Sequence, residues 1–227
     1  MEKKPFERIE LKILRLCDNI QLINNRIKLI PFNFTKSNPD RYVNSIYYDS
    51  HDLKIFHSNI FGLSPRFKIR LRWYNDLLET MSFNLERKSK QGTVGTKYQK
   101  PIDLDTSLKD LNHFELSKLL QKKLNPSELL RFNYLNNPII MVRYLRQYYE
   151  SKIVNIRITV DSNLNFYSQL NSSNINLNLK KTPIHLKIIE IKCDKNLIYL
   201  AQYILQYLPY RVSKCSKYIL GVKYCLK

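Results

Sequence analysis

One stretch of the chain reads Arg66-Phe67-Lys68-Ile69-Arg70-Leu71-Arg72-Trp73, with a cation at every second position. Successive side chains of a β-strand point to opposite faces, so the cations share one face and the apolar residues share the other. Alternation of polar and apolar residues, with fewer cations, recurs at Asn84–Lys88, Val154–Asp161 and Ile189–Lys192. One such strand is typical of any half-buried sheet. Several together, lining one closed sheet, predict an anion site, and a long site suits a polyanion.

Size and charge limit the class of protein. A chain of 227 residues is long enough for one domain with a sizeable core, and we expect a single domain over residues 1–227. The net charge of +19 predicts an anionic partner, which is nucleic acid, acidic lipid, nucleotide or polyphosphate. The many Asn, Lys and Ile residues are typical of an A+T-rich genome, which accounts for part of the lysine excess.

Cysteine and histidine usage disfavours a zinc site. Cys17, Cys193, Cys215 and Cys225 are far apart without a C-x-x-C pair, and the histidines are equally scattered. Reduced thiols in a cytoplasmic protein are the simpler interpretation. We expect no signal peptide and no transmembrane segment, because no apolar run approaches the ~18–20 residues that span a bilayer. If the protein works at the inner face of a membrane, a membrane-protein partner would hold it there.

The order of elements favours an α+β fold. Period-two patterns predict strands, and period-3.6 patterns with capping signals predict helices. The predicted strands are residues 8–14, Val43–Asp49, Arg66–Trp73, Thr80–Lys88, Thr93–Pro101, Ile139–Tyr149, Val154–Asp161 and His185–Cys193. The predicted helices are residues 16–27, two within 108–134 with Pro126 at the start of the second, and 196–207. Eight strands in hairpin-like order, with helices around them, predict a closed eight-stranded antiparallel β-barrel.

A set of short motifs resembles the VTC domain, the polyphosphate polymerase branch of the triphosphate tunnel metalloenzymes. The motifs occur in the same order over about Arg8 to Gly221, and the chain resembles the free-standing bacterial members. They are E-x-K (Glu10–Lys12), S-I-Y-Y-D (Ser45–Asp49), R-F-K-I-R-L-R (Arg66–Arg72), L-E-R-K (Leu85–Lys88), Y-L-R (Tyr144–Arg146), R-I-T-V-D (Arg157–Asp161), I-E-I-K (Ile189–Lys192) and S-K-C-S-K-Y (Ser213–Tyr218).

The resemblance implies a tunnel whose walls bind triphosphate and metal, and an enzyme that extends polyphosphate with ATP. Carried over by motif, the catalytic residues would be Arg70, Arg72, Arg157 and Lys192. The substrate-binding residues would be Lys12, Lys88, Lys97, Arg146, Lys214 and Lys217, with Lys100 as a near alternative to Lys97. Glu190 would bind the metal, Mn²⁺ or Mg²⁺, and ATP and polyphosphate would be the partners. One departure from the family pattern is Arg87, which stands where an apolar residue is commoner.

The residues leave other functions open. Phosphoryl transfer requires positioning and charge neutralisation rather than a covalent nucleophile, and the chain has no convincing Ser-His-Asp or Cys-His set and no Walker P-loop. A tripolyphosphatase or nucleoside triphosphatase needs the same cations and metal. A non-enzymatic module that binds polyphosphate or nucleic acid would also explain the charge. Nucleic acid is the weaker choice, because it does not explain cations that alternate along several strands.

Overall fold

The stretch of alternating cations forms the strand that its pattern predicts. The computed structural model describes residues 8–16, 19–91, 94–208 and 210–226, and within it Arg66–Tyr74 is a β-strand. The strands in chain order are β1 (Arg8–Leu16), β2 (Phe34–Tyr48), β3 (Arg66–Tyr74), β4 (Ser82–Gln91), β5 (Val94–Asp103), β6 (Pro138–Ser151), β7 (Ile156–Ser168), β8 (Lys180–Lys181) and β9 (Leu186–Asp194).

Six helices are interspersed with the strands along the described chain. They are α1 (Ile20–Lys28), α2 (Lys54–Ile60), α3 (His113–Lys122), α4 (Pro126–Arg131), α5 (Ile198–Leu205) and α6 (Lys217–Cys225), with single 3-10 turns at Leu108–Asp110 and Lys195–Leu197. The prediction that Pro126 starts a helix is confirmed, and Asn125 caps that helix in a capping box with Glu128. No helix within the described ranges is long and apolar enough to cross a membrane.

Three predicted boundaries are wrong, and one of them is the end of β7, which runs to Ser168 instead of Asp161. The first helix does not begin at Leu16, which still belongs to β1; α1 begins at Ile20, because the Asn19 side chain accepts a hydrogen bond from the Gln21 backbone N–H and caps the helix there. Strand β2 begins at Phe34, well before the predicted Val43. Its first half is mostly exposed, so it carries no apolar alternation to reveal it. Residues 17–18, with Cys17, and Thr93 lie outside the described residues.

The sheet is antiparallel at each register that the structure resolves, but the predicted closed barrel is not formed. The hydrogen-bonded strand order is β1-β9-β7-β6-β2-β3-β4-β5, with β8 on β7, and within the described chain β1 does not pair with β5. The edge of β1 opposite β9 is occupied by another segment. Ile13 forms an antiparallel bridge with Val212, and the Ser213 N–H donates to the Lys12 carbonyl at 2.8 Å. This edge is therefore taken by a loop instead of a strand.

Chain contacts separate two compact units. Unit 1 comprises the described residues up to Arg41, Tyr144–Leu164 and Thr182–Cys215. Unit 2 comprises Tyr42–Arg143, Asn165–Lys181 and the described residues from Ser216 onward. The single domain over residues 1–227 stays a prediction.

Each unit buries the apolar face of its strands under helices. In unit 1, Ile13, Ile158 and Ile189 of the sheet share a core with Ile23 of α1 and Ile204 of α5. In unit 2, strands β2 to β5 share a core with α3 and the segment that follows it, through residues such as Leu71, Leu85, Leu120 and Phe132. These helices cover the apolar side of the sheet, and the cations lie on the opposite faces.

Candidate anion-binding and metal site

The polar face of unit 2 is set by strand register. Directly opposed residues in antiparallel strands share a face. The opposed pairs on this face are Ser45 with Arg72, Tyr47 with Arg70, Arg70 with Glu86, Lys68 with Lys88, Glu86 with Gln99 and Lys88 with Lys97. Cations from β3, β4 and β5 therefore converge on one surface, as the alternation predicts.

At the centre of this surface is the Glu86 cluster, which consists of Arg70, Arg72, Glu86 and Lys97. The Glu86 side chain is 2% exposed. Arg70 contacts its Oε2 at 2.5 and 2.7 Å, Arg72 lies 3.8 Å from the same oxygen, and Lys97 Nζ lies 2.8 Å from Oε1. Three cations thus surround one carboxylate. The structure brings together three of the predicted site residues here, and the glutamate holds them in place.

The cations also control the ionisation of Glu86. Burial raises the pKa of this carboxyl, but Arg70, Arg72 and Lys97 together hold it well below its usual range. Glu86 is therefore charged at neutral pH. It offsets one of the three positive charges, and the excess that remains favours a bound anion.

A row of lysines extends the same surface. Lys68, Lys88 and Lys97 are opposed on β3, β4 and β5. Like charges directly opposite each other destabilise a sheet, which a bound anion would relieve. Lys68 Nζ donates to Ser216 Oγ at 2.9 Å, and Lys217, the first residue of α6, is buried. Lys100, the alternative to Lys97, lies on the other face of β5, where it contacts Glu128 at 2.6 Å.

Unit 1 contains a second cluster around a buried glutamate. The Glu190 cluster consists of Glu10, Lys12, Arg146, Asp161, Glu190 and Lys192. The Glu190 side chain is 5% exposed, with Lys12 Nζ at 3.5 Å and Lys192 Nζ at 3.2 Å. Glu10 lies 3.7 Å from Lys12 and 3.5 Å from Lys192. Strand register explains this, because Glu10 opposes Lys192 and Lys12 opposes Glu190.

Arg146 completes the Glu190 cluster from β6. Its Nε and one terminal nitrogen bind the two oxygens of Asp161 at 2.6 and 2.7 Å, and that terminal nitrogen also lies 3.3 Å from Glu190. Burial alone lowers the pKa of a guanidinium, but the carboxylates of Asp161 and Glu190 raise the pKa of Arg146 well above its ordinary value. Asp161 therefore fixes the orientation of Arg146.

Two predicted site residues lie at the margins of unit 1. Arg157 opposes Lys192 in the register of β7 and β9, but its side chain is 55% exposed and forms an ion pair with Glu150 at 2.5 Å. Lys214 is exposed in the segment before α6. In the part of the chain that the structure describes, neither residue forms an ion pair with Glu190.

The donor chemistry of the Glu190 cluster fits a hard divalent cation. Mg²⁺ and Mn²⁺ prefer carboxylate, phosphate and water oxygens. Glu10 and Glu190 offer such oxygens from adjacent strands, and their lysine contacts of 3.2–3.7 Å are long enough to be exchanged. Within the described ranges no group of three or more His, Cys, Asp or Glu residues is placed so that it could hold a metal ion by itself. A metal held here would therefore take its remaining ligands from substrate and water.

Three acidic residues contribute to the clusters, although none of them is among the predicted catalytic, substrate-binding or metal-binding residues. Glu10, Glu86 and Asp161 each hold predicted cations, and their presence on the cationic faces is visible in the alternation. Tyr47 was also missed, although its parity with Ser45 and Asp49 in S-I-Y-Y-D places it on the polar face. Asp49 serves the structure, since its carboxylate accepts backbone N–H groups of Ser50, Ile55 and Phe56 ahead of and within α2.

Arg87 lies on the core-facing side of β4. Its guanidinium lies 4.5 Å from the ring centroid of Phe67, and burial together with Arg131 lowers its pKa. The aromatic ring thus accommodates a cation at a position where an apolar residue is commoner.

The fold and these clusters define an α+β antiparallel protein whose polar sheet faces carry buried glutamates among cations. The family model of the VTC domain matches residues 7–226, nearly the whole chain, and the chain belongs to the VTC domain family. No match was found among curated proteins.

Solved structures with similar folds come from an archaeon, a plant and a bacterium. PH1819 protein from Pyrococcus horikoshii OT3 has a TM-score of 0.50 and 16% identity, covering 95% of this chain and 98% of its own. HpAC1 from Hippeastrum, described as an adenylyl cyclase candidate with a dominant triphosphatase activity, has a TM-score of 0.55 and 14% identity, covering 95% and 96%. An adenylate cyclase candidate from Vibrio parahaemolyticus has a TM-score of 0.51 and 13% identity, covering 96% and 99%. These likenesses show the fold.

Proposed function

We propose that this protein is a metal-dependent phosphotransferase that moves the γ-phosphate of ATP to the end of a growing polyphosphate chain. The observation that carries the proposal is the Glu86 cluster, in which three cations surround one buried carboxylate. The lysines opposed across β3, β4 and β5 add positive charge on the same surface. An excess of cations over carboxylates on a fixed sheet matches a triphosphate or a longer phosphate chain.

The reaction exchanges one phosphorus–oxygen bond for another. The bond between the γ-phosphorus and the oxygen that bridges it to the β-phosphate breaks, and a terminal oxygen of the chain forms the new bond to that phosphorus. ADP leaves with the bridging oxygen. The protein contributes positioning and charge neutralisation, without a covalent intermediate. Arg70 and Arg72 would hold the triphosphate through forked contacts, and Lys68, Lys88 and Lys97 would neutralise adjacent phosphates.

The Glu190 cluster would serve the metal and the chain. Glu190, with Glu10 beside it, would hold Mn²⁺ or Mg²⁺, and the bound ion would neutralise charge on phosphate oxygens. Lys12 and Lys192 would then be available to phosphate, because the ion would take their place at Glu10 and Glu190, and Arg146 would bind phosphate while Asp161 orients it. Arg157, Lys214 and Lys217 are the remaining predicted phosphate contacts. If the protein works at a membrane, a membrane-protein partner would place it there.

A triphosphatase is the second candidate. HpAC1 is described as having a dominant triphosphatase activity, and a hydrolase would need the same cations and metal. The two functions differ only in the acceptor of the γ-phosphate, which is a chain end in the first and water in the second.

The test is to incubate the purified protein with ATP and Mn²⁺, with and without a short polyphosphate primer and an added membrane fraction. Products are separated on a polyphosphate gel, and free phosphate is measured in the same samples. Polymer formation supports the transferase. Free phosphate without polymer supports the triphosphatase. If ATP is unchanged under every condition, a module that binds polyanions without turnover replaces both.

A further inference from the structure

A tyrosine lies beside the Glu86 cluster, and within the described chain its hydroxyl accepts a hydrogen bond without donating one. Tyr47 is 5% exposed and opposes Arg70 in the register of β2 and β3. An Arg70 terminal nitrogen donates to the Tyr47 hydroxyl oxygen at 3.0 Å. The hydroxyl oxygen is therefore an acceptor here, and its own proton must point elsewhere.

Among the residues that the structure describes, Tyr47 donates to no acceptor. Its other contacts are with rings and charges. It stacks on Tyr218 with ring centroids 5.3 Å apart, and the Arg70 guanidinium lies 5.8 Å from its ring centroid. A buried donor without an acceptor costs free energy, so a ligand that supplies the acceptor is favoured.

The charges around Tyr47 select the ligand. Burial raises the pKa of Tyr47, but Arg70, Arg72 and Lys217 outweigh burial and lower it below the ordinary value. A second cation would be repelled from this position, and a neutral acceptor would gain nothing from the surrounding charge. A phosphate oxygen gains both the hydrogen bond and the attraction of the cations.

We propose that Tyr47 is a phosphate-binding residue, whose hydroxyl donates to an oxygen of the anion that Arg70 holds. The inference rests on the proposed function and adds a neutral donor to its cationic site. Tyr218 keeps the ring in place, because its own hydroxyl is turned to the Asp49 carboxylate. The ring position therefore survives loss of the Tyr47 hydroxyl.

Tyr48 provides a matched control on the same strand. It is 1% exposed, points to the opposite face and shares the apolar core with Ile69 and Leu71. In the described part of the chain its hydroxyl has no partner. Tyr47→Phe and Tyr48→Phe remove the same atom from adjacent positions, and only the first faces the cations.

The experiment measures tripolyphosphate binding by calorimetry to the full chain and to Tyr47→Phe, Tyr48→Phe and Arg70→Ala. Tyr47→Phe should weaken binding about 10-fold or more, because a hydrogen bond to a charged group is lost. Tyr48→Phe should stay within about twofold of the unsubstituted protein. If the unsubstituted protein binds no tripolyphosphate, the proposed function fails. If Arg70→Ala weakens binding while Tyr47→Phe matches Tyr48→Phe, the inference about Tyr47 fails alone.

A second measurement does not depend on a variant's stability. In an ultraviolet pH titration, Tyr47 should ionise at lower pH than an ordinary tyrosine in the free protein, and tripolyphosphate should raise its pKa. Bound phosphate stabilises the protonated donor and offsets the nearby cations. The signal is assigned by its loss in Tyr47→Phe. A Tyr47 pKa that tripolyphosphate leaves unchanged overturns the inference.

Discussion

The two glutamate clusters have the same centre and different charge balance. In unit 2, Glu86 faces Arg70, Arg72 and Lys97, so three positive charges meet one carboxylate. In unit 1, Glu190 faces Lys12, Arg146 and Lys192, but Glu10 and Asp161 bring the carboxylates to three as well. A buried glutamate among cations therefore does not define one kind of site. The first cluster carries an excess of positive charge, and the second balances three cations with three carboxylates.

The largest expected effect is a loss of protein stability on substitution of Glu86, which we do not expect for Glu190. Glu86→Gln removes the only carboxylate of the Glu86 cluster and should lower the free energy of unfolding by about 3 kcal/mol. This is the low end for a buried pair, because Lys97 is 42% exposed and stays solvated. Chemical denaturation measures the loss. Added tripolyphosphate should recover part of it in Glu86→Gln, and a loss that tripolyphosphate does not change would contradict the proposal that this cluster binds an anion.

Glu190→Gln should act mainly on catalysis. Two carboxylates remain in the Glu190 cluster, so the fold survives, but the proposed metal loses its main ligand. Because metal binding supplies several kcal/mol of charge stabilisation, kcat should fall about 100-fold or more, with a higher Mn²⁺ requirement. The measurement is a Mn²⁺ titration of ATP turnover. An unchanged rate and metal dependence would reject Glu190 as the ligand.

Arg70→Ala tests the proposed contact between the Arg70 guanidinium and the triphosphate. Losing a hydrogen-bonded contact to a charge costs about 1.5–3 kcal/mol, so kcat/KM should fall roughly 10- to 150-fold. Lys109→Ala is the control, since Lys109 and its partner Glu79 are exposed, at 62% and 77%. Such a surface pair contributes little. If Arg70→Ala behaves like Lys109→Ala, both enzymatic functions fail.

Arg157→Ala should have a smaller effect than Arg70→Ala. Sequence motifs rank the two arginines together, but Arg157 is 55% exposed and paired with Glu150, whereas Arg70 is 13% exposed and paired with buried Glu86. Solvent would screen a contact between Arg157 and phosphate. We expect a loss in kcat/KM below about fivefold in the same assay. Equal losses for the two variants would show that substrate binding draws Arg157 inward.

The smallest effect is a pH dependence. The Glu86 carboxyl titrates near pH 4.3 when unfolded, and its pKa in the fold is lowered well below its ordinary value, chiefly by Arg70 and Arg72 against the effect of burial. The unfolded chain then binds more protons, so stability rises with pH in this window. The contribution of Glu86 is fully present above about pH 4.3 and is lost as the pH falls toward the folded pKa. The stability gap to Glu86→Gln should shrink between pH 6 and acid pH, and a constant gap would be the contrary result.

The polar and apolar faces could be read from the sequence. Alternation placed Arg70 and Arg72 on one side of β3 and Leu71 on the other, and the structure agrees. The sequence could not choose between Lys97 and Lys100, because both flank the same strand centre. In the structure the two lysines point to opposite faces of β5. Lys97 forms an ion pair with Glu86 on the polar face, and Lys100 forms one with Glu128 on the other face.

The sequence by itself determined which residues share a face, because the two-residue period of a strand is a local property of the backbone. It also determined the start of α4, through Pro126 and the capping residue before it, which act within one turn. Tertiary structure alone decided the pairing of strands, and with it the charge balance of each cluster. Arg157 forms its ion pair with Glu150 on the neighbouring strand, and Val212 bridges to Ile13 at the edge of β1. No sequence pattern marks either pair of residues as partners. Local periodicity carries no information about such contacts, because register and edge pairing depend on how whole strands pack.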